Sequence, residues 1–204
     1  MKVFCIICVV TALNFQVAKS TAHVATNQPV VDTLAIKAKK LKRLYLLCTS
    51  SQVNVDIYQR QFFDEFPATF SELNDLYGYS SKASILYFDA EKHIARFFNN
   101  LNSVNDTLYY QKIIGIAING RWDADAINYF QHGLKEHVEN KPELTVYILQ
   151  KLSEEKMKSF WLFYFDAPHP SKKIPDSLQR IQAMDNNIYN FMINAHNAAL
   201  MEKE

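Results

Sequence analysis

The sequence predicts an all-α domain, an irregular bundle of about seven or eight helices, and three observations carry that prediction. Only four glycines and six prolines occur among 204 residues, too few tight-turn residues for a β-sandwich or barrel. Apolar residues recur at steps of three and four along most of the chain, the period of a helix with one buried face. Hydrophobic residues make up 49% of the chain and aromatics 13%, enough to fill a sizeable core and incompatible with wholesale disorder. With 22 basic against 21 acidic residues, the net charge of +1 supplies no global field. No nucleic-acid partner is therefore expected, and any anionic contact needs a local patch.

The first element is a leader. Lys2 gives a positive n-region, Val3 to Leu13 an almost wholly apolar stretch, and Ala18-Lys19-Ser20 a small-x-small cleavage site before Thr21, so residues 1–20 read as a signal peptide. The stretch falls well short of the roughly 20 apolar residues that span a bilayer, so cleavage is favoured over an uncleaved anchor. Cys8 is not expected to be acylated, because Phe4-Cys5-Ile6-Ile7 lacks the small residue that precedes a lipoprotein cysteine. Cleavage removes Cys5 and Cys8 and leaves Cys48, which cannot form an internal disulfide; a secreted or periplasmic protein of this kind stands on its core. Cys48 continues an apolar stripe and reads as a small buried hydrophobe. Residues 21–30 are polar and read as a flexible tail, and residues 31–204 as one helical domain with no transmembrane segment.

Val31, Leu34, Ala38, Leu41, Tyr45 and Cys48 mark the first helix, with Asp32 and Thr33 as start signals. A second covers Val55 to Phe66, stopped by Pro67; Thr69 and Glu72 form a capping box for a third, and Gly78 stands where a left-handed helix end is wanted. Tyr87, Ala90, Ile94, Phe97, Phe98 and Leu101 make the next amphipathic helix. Thr107 to Asn119 is apolar nearly all round and fits either a central helix or a buried strand. Helix is chosen, with Gly120 as its stop, because Arg121 to Val138 does not alternate as a hairpin partner would but sets Ile127, Phe130, Leu134 and Val138 on one helical face. Pro142 opens a helix to Leu152, and Ser153 caps the one carrying Phe160-Trp161-Leu162-Phe163-Tyr164-Phe165. A proline-rich connector, Asp166 to Pro175, leads to a final helix with Leu178, Ile181, Met184, Ile188, Phe191, Met192 and Ala195 inward. The Ile113 and Phe163 segments form the expected central layer.

Asn119-Gly120-Arg121-Trp122-Asp123-Ala124-Asp125-Ala126 and Phe165-Asp166-Ala167-Pro168-His169-Pro170 resemble stretches in uncharacterised exported helical proteins of Bacteroidota-type bacteria. The resemblance covers about Tyr58 to the C-terminus and implies a bacterial periplasm or exterior; those proteins have no established activity, so it implies no mechanism. In a eukaryotic secretory pathway Asn105-Asp106-Thr107 would instead be a glycosylation acceptor.

Candidate chemistry is sparse. Two prolines fix the backbone around His169, which with Asp166 could serve acid–base work, although the same prolines also simply turn the chain between helices. Asp125, Tyr129, His132 and Glu136 follow at steps of four, three and four, so one helix face would carry two carboxylates, a phenol and an imidazole. Asp125, His132 and Glu136 are candidate metal ligands there, but the face lies opposite the apolar stripe and reads as solvated. Asp89, His93 and Arg96 read as a surface ion-pair row. His132 and His137, five apart, miss the helical zinc-protease spacing. Lys37, Lys39, Lys40, Lys42 and Arg43 form a basic patch, a solvated face or a contact for an anionic surface. Trp161, Phe163, Tyr110 and Trp122 could line an apolar ligand pocket, though such residues also build cores. No glycine-rich phosphate loop, hydrolase elbow or dinucleotide fingerprint is present, and no cofactor is expected. These readings favour an exported, non-catalytic binding or interaction module for a partner protein or an apolar small molecule. The alternative is a hydrolase-like enzyme with a His/Asp/Glu acid–base or metal site.

Overall fold

The computed structural model describes residues 28–50, 53–99 and 103–202. The expected leader 1–20 with its expected cleavage site, Cys5, Cys8 and residues 21–27 lie outside the described residues. Every regular element among those described is helical, beside one isolated bridge between Tyr79 and Ala83.

Helices α1 (Gln28–Ser50) and α2 (Val55–Glu65) pack along each other. α1 begins inside the stretch read as a tail, with Pro29 in the first turn, where a missing N–H costs no hydrogen bond. α3 (Phe70–Tyr77) is capped by Thr69, whose Oγ1 accepts from Glu72 N at 3.3 Å; the return bond differs from a capping box by one residue, Glu72 Oε2 accepting from Ala68 N at 2.8 Å in place of Thr69 N. The predicted helix from Tyr87 begins as a single 3₁₀ turn, Tyr87–Asp89, and continues as α4 (Ala90–Asn99). α5 (Asp106–Ala117) is capped by Asn105, whose Oδ1 accepts from Thr107 N at 2.9 Å. α6 (Ala126–Asn140) starts five residues later than its predicted N-terminus, and α7 (Pro142–Leu149) and α8 (Glu154–Phe165) follow. Ser153 precedes α8 without a side-chain capping bond.

The last stretch departs furthest from prediction. One helix was expected from Leu178 to Ala195; the chain instead forms α9 (Asp176–Gln179), α10 (Ile181–Met184) and α11 (Asn186–Met201). Asp185 is extended at φ −157° and its carboxylate accepts from Asn187 N and Ile188 N at 3.0 Å, a capping arrangement that restarts the helix and overrides continuous apolar spacing. Met184, expected inward, is 36% exposed as a result. Among the described residues these make eleven α-helices, or ten with α9 and α10 taken as one broken helix, against seven or eight helices predicted. Neither Gly78 nor Gly120 takes the left-handed backbone expected of a helix stop. Gly78 is extended at φ −74°, and the positive φ after α5 belongs to Asn119, at 61°.

α5 is the central helix, contacting α3, α6, α7 and α8, which accounts for its all-round apolar sequence. An unbroken run of rings crosses the core. Phe66 stacks on Phe97 at 4.0 Å between centroids, Phe97 meets Phe98 at 5.3 Å, Phe98 meets Phe130 at 5.3 Å, and Phe130 meets Phe163 at 6.4 Å. Aromatic pairs at these spacings add to the burial of their area.

With so few glycines to close helix ends, long side chains from other helices supply the donors that the last carbonyls need. Arg96 Nη2 donates to Cys48 O at 2.6 Å at the end of α1, and Lys112 Nζ to Phe63 O and, at 3.2 Å, to Asp64 O at the end of α2. Tyr109 donates to Phe97 O in α4 at 3.0 Å, and Tyr110 to His137 O in α6 at 2.7 Å. Gln131 Nε2 donates to Phe163 O and Asp166 O, both at 2.6 Å, at the end of α8. Burial pushes the Lys112 ammonium down to about 8.

Two charged groupings differ from their sequence reading. Asp89, His93 and Arg96 are not a surface row. His93 is 1% exposed with its Nδ1 3.0 Å from the Tyr77 hydroxyl, Asp89 pairs with Lys42 at 2.9 Å and Lys92 at 2.6 Å, and Arg96 caps α1. The basic patch on α1 is not uniformly solvated either: Lys37 pairs with Glu72, Lys40 with Glu65 and Lys42 with Asp89, tying α1 to three neighbouring segments. Cys48 is buried, as its stripe predicts.

Candidate functional site

α4 and α6 pack along each other, and a hollow of about 210 Å³ lies between them. Tyr129, His132, Gly133 and Glu136 form its α6 wall; Glu91, Ile94, Ala95, Phe98 and Asn99 form the other. Three of the four residues that periodicity set on one helix face thus meet here, with a carboxylate from each wall. Asp125 does not join them. It precedes α6 at φ 55°, and its carboxylate accepts a hydrogen bond from the Tyr87 hydroxyl. His132 Nε2 lies 3.5 Å from Glu136 Oε1, both side chains more than half exposed, so the pair contributes little to stability.

At one edge of the hollow Phe98 lies directly against the α6 backbone, because residue 133 has no side chain. A Cβ on Gly133 would stand 2.3 Å from Cδ2 of Phe98 and 2.5 Å from its Cγ. Those atoms lie near the root of a side chain already held by Phe97 and Phe130, so the ring has little room to yield. Gly133→Ala gains about 1 kcal/mol of helix propensity but overpacks a filled contact at about 1 to 3 kcal/mol. A net loss of about 1 kcal/mol in urea unfolding is expected, and a stabilised variant would contradict the close approach of α4 to α6.

The Tyr87–Asp125 hydrogen bond sets an exposed aromatic row at the start of α6, one turn before Tyr129. Tyr87 packs edge-on against Tyr79 at 5.5 Å and Phe88 at 5.2 Å. The hydrogen bond to Asp125 is the main cause that holds the Tyr87 phenol above its ordinary value. Phe88 is 90% exposed, Tyr79 54% and Tyr129 40%. Contiguous exposed rings of this kind mark interaction surfaces, because water contact gives them nothing to offset the apolar area they present.

Phe98 and Asn99 also line a second hollow of about 240 Å³ with Asp106, Tyr109, Tyr110, His137 and Lys141. Burial lowers the His137 imidazole pKa and raises the Tyr109 and Tyr110 phenols, and His137 Nδ1 meets Gly133 O at 2.9 Å. Tyr110 is thus part of a polar hollow. Of the aromatic residues suggested for an apolar pocket with it, Trp161 and Phe163 are fully buried in the core. Trp122 is half-buried, and its backbone N–H donates to Asp166 Oδ2 at 2.6 Å.

That bond fixes Asp166 as a brace for the connector after α8. His169 is exposed and makes no hydrogen bond or ion pair among the described residues. No three His, Cys, Asp or Glu side chains are grouped to hold a metal among the described residues. The α4–α6 hollow is lined by no Ser, Thr, Cys or Lys; its ionisable groups are the carboxylates of Glu91 and Glu136, the His132 imidazole and the Tyr129 phenol.

Glu91, Phe98 and Gly133 escaped sequence reasoning because they come from a second helix or from the absence of a side chain. Phe88 and Tyr79 escaped it because an exposed ring in a short irregular segment has no periodicity. No family model matches the chain, and no curated protein or solved structure matches it either.

Proposed function

We propose that this protein is an exported, non-catalytic interaction module that recognises a partner protein through the row Tyr79, Tyr87 and Phe88, together with the α4–α6 hollow that Tyr129 lines. The observation that carries the reading is Phe88, 90% exposed at the edge of a contiguous aromatic row. Tyr and Phe are the anchors of protein interfaces. A partner protein is favoured over an apolar small molecule because Trp161 and Phe163 are buried in the core and the two hollows beside Phe98 hold about 240 and 210 Å³, below the roughly 300 to 1,000 Å³ of small-molecule sites. Export rests on the leader 1–20 and on the resemblance to exported helical bacterial proteins.

The test is capture from an envelope extract of the producing organism, with the wild type, Tyr79→Ser/Phe88→Ser and the distant control Ile57→Ser as baits. Ile57 is also exposed, at 54%. One partner retained by wild type and control but weakened about tenfold or more by the double variant is the expected result, since a buried aromatic anchor is worth about 2 kcal/mol. Equal capture by all three baits, or none, refutes the reading.

A further inference from the structure

The five-residue basic patch on α1 is divided by the fold into two sets. Lys37, Lys40 and Lys42 are committed to carboxylates of neighbouring segments. Lys39 and Arg43 are exposed and have no ion pair or hydrogen bond among the described residues. At 100° per residue, Ile36, Lys39, Arg43 and Leu46 fall within an arc of about 80°, opposite the buried stripe of Ala38, Leu41, Leu44 and Cys48. Ile36 is 69% exposed and Leu46 61%. The outer face of α1 is therefore a strip about 15 Å long, an aliphatic residue at each end and two free cations between them. Residues 33–50 contain no acidic residue. The partly exposed Lys40 and Lys42 flank the strip, and Ile57 of α2 is exposed at the same end of the α1–α2 pair as Leu46.

From this geometry we infer that the outer face of α1 docks on an anionic phospholipid surface, Ile36 and Leu46 entering the headgroup boundary and Lys39 and Arg43 meeting phosphates. The pattern is that of an interfacial helix, with basic residues beside aliphatic ones. Its composition separates it from the aromatic row: lysine is depleted at protein interfaces and aromatics are enriched there, whereas this strip carries no aromatic residue. Two copies meeting through it about a twofold axis would oppose like charges. Each Lys or Arg near an anionic bilayer adds about fivefold in partitioning, so two cations with two aliphatic anchors give reversible, salt-sensitive docking.

The test is co-sedimentation of the full chain with phosphatidylcholine vesicles containing phosphatidylglycerol and with phosphatidylcholine alone, at low and high salt. The apolar stretch 3–13 is common to every variant, so differences between variants are read. Lys39→Glu/Arg43→Glu is compared with Lys82→Glu/Lys172→Glu, which makes the same change in net charge at two other exposed positions. Wild type and control should sediment with the anionic vesicles and release in salt. Lys39→Glu/Arg43→Glu should bind at least about 20-fold more weakly, and Ile36→Ser/Leu46→Ser should also lose binding with its circular dichroism unchanged. Equal binding by Lys39→Glu/Arg43→Glu and wild type, or an equal loss in the charge-matched control, overturns the inference. Retention on heparin without vesicle binding also overturns it, and assigns the strip to an acidic polysaccharide.

Discussion

Trp161→Ala is expected to lower the unfolding free energy by about 3 to 5 kcal/mol, the range for removing a large aromatic side chain from a packed core. Trp161 has no exposed surface and touches Phe160, Tyr164 and Phe165 at centroid distances of 4.9, 5.4 and 6.2 Å. The ring contacts knit α8 along its own length, and α8 in turn packs on α11 and α5. The space left behind cannot close without moving α8, so the transfer and cavity contributions add. One feature reduces the loss for a different substitution: the indole N–H of Trp161 is buried with no acceptor. Trp161→Phe removes that unpaired donor while keeping most of the ring, so it should cost much less than the alanine variant. Urea unfolding of both variants checks the pair. A cost below about 1 kcal/mol for Trp161→Ala would mean that the residue faces an open pocket, as a ligand-binding role would require.

Acid should destabilise the protein by about 2 to 3 kcal/mol between pH 7.5 and 4.5 through His93 alone. Burial pushes the His93 imidazole down to about 4, against the opposing pull of Asp89 and with help from Lys92 and Lys42. The unfolded chain takes up a proton near 6.5 while the folded one refuses it until about pH 4. Stability is therefore fully present above pH 6.5 and is lost as pH falls towards 4. His93 Nδ1 lies 3.0 Å from the Tyr77 hydroxyl and the ring sits among those of Tyr45, Phe62 and Tyr77; protonation puts a charge in an apolar site. His93→Gln keeps a hydrogen-bonding partner for Tyr77 without titrating in this range. Its urea midpoints should change less with pH than those of the wild type, and parallel pH profiles would remove His93 as the cause. Lowering of the His137 pKa by burial acts in the same direction, so some slope remains in the variant.

The chain by itself determined its helical class, because periodicity three and four reports a buried stripe wherever a helix meets one core. The stripes Ala38, Leu41, Cys48 and Ile127, Phe130, Leu134, Val138 are buried, and local capping chemistry was equally readable at Thr69 and Pro142. A third of the hollow's lining was legible for the same reason: Tyr129, His132 and Glu136 share one face of one helix. The remainder was decided by tertiary structure, since it depends on which helices meet. His93, Asp89 and Arg96 have the spacing of a surface row, but α4 turns that face against α1 and α3, so one ring is buried and each charge finds a partner far away in sequence. Lys39 and Lys40 are adjacent and chemically identical, yet only Lys40 finds a carboxylate, Glu65, on the neighbouring helix. Gly133 reads as a weak point in a helix until Phe98 lies across it. Periodicity records what each helix must bury; the partner it is buried against, and hence what stays exposed for function, follows from long-range packing that no local pattern encodes.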